Sequence, residues 1–208
     1  MKNAPRTNLS TMNTRKFPIY KMRIVENDSE EIEVNAIALV DSPAIEIDWQ
    51  KFSKHQRFSA DEERRLVMGV FMVADMPIYR RDEKLGEYYV LFEKEEIYKI
   101  VQKFFRKGFV SNFNLMHDPE KKLDKVYLIE SFIIDSTRGI VPPKAFEGIS
   151  DGSWLGTVKI DNEKVWQNFI KTGELKAFSI EGNFNYEPFE ENVDEKVLKE
   201  IAEIVKGN

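Results

Sequence analysis

Ser179 stands inside the apolar run KAFSIEGNF, residues 176–184. A hydroxyl enclosed there must find a hydrogen-bond partner or cost about 1–3 kcal/mol. It is therefore either satisfied in a core or held where it reacts. A serine becomes a nucleophile only with a base within hydrogen-bond reach, and that base needs a third group to fix its tautomer. The chain has two histidines. His55 lies in QKFSKHQRFSADEER, residues 50–64, and reads as a solvated loop residue. His117 ends NFNLMH, where a strand runs into an Asp-Pro turn. The plainer reading is a hydrogen-bonded histidine at a strand end, yet strand ends are also where a scaffold displays catalytic side chains. For the third role the sequence offers Glu130 and Asp118. Ser179, His117 and one of these acids form the set that fills all three roles on ordered segments, although no G-x-S-x-G elbow is present.

The elements that must carry these residues follow from periodicity. In KVYLIESFIID, residues 125–135, alternation puts Leu128, Glu130, Phe132 and Ile134 on one face and Tyr127, Ile129, Ser131 and Ile133 on the other. A carboxylate among those apolar neighbours needs a cation, as in a structural ion pair, or an imidazole to orient. In the Ser179 segment, Phe178 and Ile180 share one face, while Ala177, Ser179, Glu181 and Asn183 share the other. Further strands are expected over FPIYKMRIV, EIEVNAIALV, RLVMGVFMVADMPIYRR (broken by Pro77), EYYVLF and GSWLGTVKI.

EKEEIYKIVQKFFRKG, residues 93–108, predicts a helix. Ile97, Ile100, Val101, Phe104 and Phe105 fall on one face, acids stand at its start and Gly108 stops it. DNEKVWQNFIKTG predicts a second, capped by Asp161 and stopped at Gly173. VDEKVLKEIAEIVKG closes the chain as an amphipathic third, and residues 1–16 read as a disordered tail. STRGIVPPKAFEGISD is a long loop whose STRG segment is a candidate source of oxyanion-binding amides.

Composition narrows the function classes. The net charge of −5 argues against a nucleic-acid partner. The absence of cysteine removes disulfides, thiolate zinc sites and cysteine nucleophiles, and fits a reducing compartment. No histidine pair at helical spacing supports a metal, no Gly-rich phosphate loop is present, and no cofactor is implied. No apolar run reaches the roughly 20 residues of a membrane span, and the start lacks a signal-peptide core. A soluble, intracellularly made protein is expected. At least seven strands with three helices in 208 residues predict a β-rich α+β fold, a closed or nearly closed antiparallel β-barrel with helices outside. A barrel that binds a small ligand would use the same apolar interior but leaves Glu130 unexplained.

VNAIALVDSPAIEIDW, NFNLMHD, LIESFIID, GSWLGTVKIDNEKVW and TGELKAFSIEGNF occur here in the order found in phage prohead maturation proteases of the XkdF-like type. The chain resembles that family over residues 17–186, with 187–208 as a C-terminal amphipathic helix beyond it. These proteases look like relatives of the herpesvirus assemblins, serine peptidases built on a closed barrel with surrounding helices. The resemblance implies Ser179 as nucleophile, His117 as base and Glu130, the acid in the strand after the histidine, as third member. In the herpesvirus relatives a second histidine follows the serine; here none does, so that role falls to an acid or is absent. The implied activity is cleavage of scaffold and major capsid proteins inside a procapsid assembled in the host cytoplasm, by a protein that could act as a homodimer. A non-enzymatic virion or scaffold-associated protein on the same fold is the alternative.

Overall fold

The computed structural model describes residues 17–41 and 58–189. The strands are β1 (Ile19–Arg23), β2 (Val34–Val40), β3 (Ser59–Asp61), β4 (Leu66–Met72), β5 (Ile78–Asp82), β6 (Gly86–Leu91), β7 (Phe113–Leu115), β8 (Asp118–Lys122), β9 (Val126–Ile133), β10 (Trp154–Ile160), β11 (Ala177–Gly182) and β12 (Asn185–Pro188). They form three four-stranded sheets, ordered β12-β1-β6-β5, β3-β4-β10-β9 and β11-β2-β7-β8. No sheet closes on itself, which overturns the expected barrel. Nor is the pairing wholly antiparallel, since β1 runs parallel to β6 and β2 parallel to β7. The physical reason is at the turns. The long 65–81 segment does not continue through Pro77 as one strand: β4 joins the second sheet and β5 the first.

The sheets meet over one main apolar core, with two smaller buried clusters beside it. Phe71 lies 4.8 Å from Trp154 and 4.9 Å from Phe178, ring centre to ring centre, joining β4, β10 and β11. Gly69 permits this approach. A Cβ there would stand 2.6 Å from Phe178 Cδ2, closer than packed carbons tolerate. Gly182 does the same at the other end of β11, where a Cβ would strike the Glu33 carbonyl oxygen.

Helix α1 (Lys94–Arg106) has Glu95 and Glu96 in its first turn and Lys103 and Arg106 in its last, matching the helix dipole. Ile97, Ile100 and Phe104 are buried, and Phe104 packs edge-on against Trp154 at 5.3 Å. Phe105, expected on that face, is exposed. Lys103 is 1% exposed, and its ammonium donates to the carbonyls of Val25, Asn27 and Glu30 at 2.6, 2.9 and 2.8 Å. Those bonds use all three of its hydrogens. Its 3.1 Å contact with the buried Glu33 carboxylate is therefore an ion pair without a hydrogen bond. Lys107 supplies that bond to Glu33 at 2.8 Å. The β1–β2 connection is thus clamped onto α1.

The second expected helix is shorter than its sequence suggests. Helix α2 (Glu163–Val165) passes at once into a π-helical turn, Trp166–Ile170. Its cap is Asn162, whose side chain accepts from Val165 N–H; Asp161 instead accepts from the Tyr127 hydroxyl. The expected tail over residues 1–16 and the third helix from residue 190 onward lie outside the described residues. None of the helices among the described residues is long and apolar enough to cross a membrane.

Candidate active site

Strand β11 alternates as its sequence requires. Phe178 turns toward Phe58 and Phe71, so Ser179 and Glu181 stand on the opposite face of the third sheet. Ladder register puts Ser179 beside Ala38 of β2, and Ala38 beside Asn114 of β7. Glu181 is beside Ala36. Ala36 and Ala38 project no more than a methyl group above β2, and so leave room for longer side chains to meet across it. Asn114 Nδ2 donates to Glu181 Oε1 at 2.8 Å, and His117 Nδ1 lies 2.9 Å from the same oxygen.

His117 comes to this face through an unusual turn. β7 and β8 form a hairpin with Leu115 paired to Asp118, leaving only Met116 and His117 between them. Both have positive φ, 54° and 59°. Two-residue turns with two such residues normally use Asn or Gly, and other side chains there cost about 1–3 kcal/mol each. The chain accepts that cost at the histidine.

A carboxylate offers only acceptors, so the Nδ1 facing Glu181 carries the hydrogen when the ring is neutral. The lone pair is left on Nε2. This is the tautomer a general base needs. Asn114, 3% exposed, holds the same carboxylate, and its own Oδ1 is enclosed without a hydrogen-bond partner among the described residues. Ser179 is 7% exposed, and its hydroxyl has no hydrogen bond to a described residue.

The other expected residues fall elsewhere. Glu130 is on β9, at the end of the second sheet, where it is exposed rather than set among apolar neighbours and pairs with Thr157 in the ladder. Among the described residues it has no ion pair and no hydrogen bond to His117. Asp118 caps its own turn, accepting from Glu120 N–H at 3.0 Å and pairing with Lys121 at 2.9 Å. The Lys121 bond, with the Glu120 amide, holds its carboxyl below the usual carboxylate range. His55 lies outside the described residues. The STRG segment forms a 3₁₀ turn, Ser136–Arg138, with its amides already engaged. Ser136 N–H donates to Asp151, Arg138 N–H to Asp135 and Gly139 N–H to the Ser136 carbonyl. Sequence reasoning gave no role to Glu181 or Asn114. The signal for Glu181 was present: it lies two residues beyond Ser179, on the same face.

Two clefts flank the cluster. One, of about 170 Å³, is lined mostly by apolar side chains, with Arg80, Tyr186 and Ser179 also in its wall. The other, of about 640 Å³, is polar and borders Asn114, Glu181, Lys107 and Lys122. Among the described residues no group of three His, Asp or Glu side chains is placed to hold a metal. A histidine whose Nδ1 faces a carboxylate keeps a lone pair on Nε2, the form in which an imidazole can accept a proton.

Residues 55–187, more than half of the chain, match the family model described as "Putative phage serine protease XkdF". No curated protein and no solved structure matches the chain.

Proposed function

The chain belongs to the XkdF family of phage serine proteases, and from that premise we propose that it is the prohead maturation endopeptidase, with Ser179 as nucleophile and His117 as general base. The observation that carries the reading is the His117–Glu181 pair on the sheet face that also bears Ser179. Glu181 takes the orienting role for which the sequence had offered Glu130, and Asn114 steadies Glu181.

In the acylation step Ser179 Oγ attacks the peptide carbonyl carbon as its proton passes to His117 Nε2. The tetrahedral intermediate collapses, the C–N bond breaks, and the same proton goes to the departing amine. Water then repeats the sequence in reverse, releasing the acid and restoring the serine. Through Nδ1, Glu181 stabilises the imidazolium that forms in each half. On this reading the hydrogen bond between Ser179 and His117, which is not made among the described residues, forms as substrate binds.

The substrates are the scaffold and major capsid proteins, met inside the procapsid during head assembly. Incubating the purified chain with those two proteins tests the reading. Cleavage by the wild type and none by Ser179→Ala is expected. An intact substrate in both reactions, from folded protein, would leave a structural virion role in its place.

A further inference from the structure

We propose that the apolar cleft beside Ser179 receives one large apolar side chain of the substrate, from the residue next to the cleaved bond, while the substrate backbone lies along β11; this rests on the protease reading above.

The cleft lies where the three sheets converge. Phe71 and Val73 border it from the second sheet and its following turn, Met22 and Ile78 from the first, and Phe184 from the β11–β12 connection. Ser179 lines it together with both its neighbours, Phe178 and Ile180. A side chain seated in the cleft is therefore attached to a peptide unit passing the proposed nucleophile.

Size limits the occupant. Its volume is about 170 Å³, close to that of apolar cavities of about 150 Å³ that take a benzene ring. One Leu, Met or Phe side chain fits, and Ala would leave most of the space empty. The strand edge supplies the backbone partner. β11 ends its sheet, so one of its edges has no ladder neighbour among the described residues. An extended peptide adding to that edge points alternate side chains to one side, which delivers a single residue into the cleft beside Ser179.

Blocked alanine nonapeptides flanked by lysines, differing only in a central Ala, Leu, Met or Phe, supply the probe. Their cleavage by the full chain is compared with their binding to Ser179→Ala. Hydrophobic pockets discriminate by about 10–200-fold between side chains differing by a methylene. The expected result is at least a tenfold higher kcat/KM for the Leu, Met and Phe peptides than for the Ala peptide. Val73→Phe, which fills the cleft, should bring that ratio toward one. Phe184→Ala, which enlarges it, should favour the Phe peptide, and provides the test if the first variant does not fold by its melting curve. Cleavage without size preference, or a preference unmoved in both folded variants, overturns the inference. Binding that selects large apolar residues with no cleavage supports the cleft and overturns the hydrolytic reading instead. The absence of both binding and cleavage overturns the inference.

Discussion

Ser179→Ala deletes one hydroxyl that makes no hydrogen bond to a described residue, so the fold should keep its melting temperature while turnover falls. Loss of a triad nucleophile costs on the order of 10⁶ in kcat, and comparing cleavage with melting separates the two effects. Glu181→Gln is the sharper test. The amide keeps the shape, but it can present a hydrogen to Nδ1 and favour the tautomer with Nε2 protonated. A loss of about 10⁴ is the scale for that fault. Glu130→Gln should leave turnover within a factor of two, because Glu130 is exposed on a different sheet. Equal losses from Glu181→Gln and Glu130→Gln in the same cleavage assay would refute the assignment of Glu181. Ser179 and His117 were legible as candidates because each is a reactive type at an odd place in an apolar run. The carboxylate that meets His117 was not, because a hydrogen-bond partner is a fact of three dimensions. Alternation had put Glu181 on the Ser179 face, but nothing one-dimensional says that His117 folds back over it.

At the scale of elements, the β7–β8 hairpin holds Met116 and His117 in the left-handed region. Met116→Asn places a residue suited to φ > 0 beside the histidine without touching the ring. It should raise stability by about 1 kcal/mol, measured by denaturant unfolding. The start of α1 responds to pH. Lys21, at 2.8 Å, and then Arg23, at 2.7 Å, hold the Glu93 carboxyl below its ordinary value of 4.5. A carboxyl depressed in the folded state stabilises fully above its unfolded value and ceases to do so as pH falls through the folded one. Melting curves of Glu93→Gln should therefore lose less between pH 5 and 2, in units of about one pH step, than those of the wild type. Helix α1 was readable from its periodicity and end charges. The 161–173 helix was half readable: its start and stop residues were visible, but not the cap by Asn162 or the π turn, which depend on what Trp166 and Tyr127 meet.

At the scale of the whole molecule, strand positions were legible and strand partners were not. Period-2 alternation says which side chains share a face, and says nothing about which edge finds which. Hence three open sheets were mistaken for one closed one, and two parallel pairings were unforeseen. The contacts that hold the sheets together are correspondingly sensitive. Gly69→Ala must displace Phe178 and should cost about 1–3 kcal/mol by thermal or denaturant unfolding. Lys103→Met leaves the Glu33 carboxylate enclosed with one cation fewer, and its cost should be larger, about 3–5 kcal/mol.

The order of strands also bears on when the molecule can act. β11 completes its sheet by pairing with β2, and β12 completes another by pairing with β1. Strands from late in the chain thus close sheets opened by the earliest ones. A chain emerging from the ribosome makes its histidine hairpin more than fifty residues before it makes Ser179, and Glu181 comes later still. Until β11 has been synthesised and docked, the hydroxyl, the imidazole and the carboxylate are never in one place. On the proposed assignment, a half-made copy is harmless to the capsid proteins being translated around it, and synthesis itself is the first safeguard against cutting too soon.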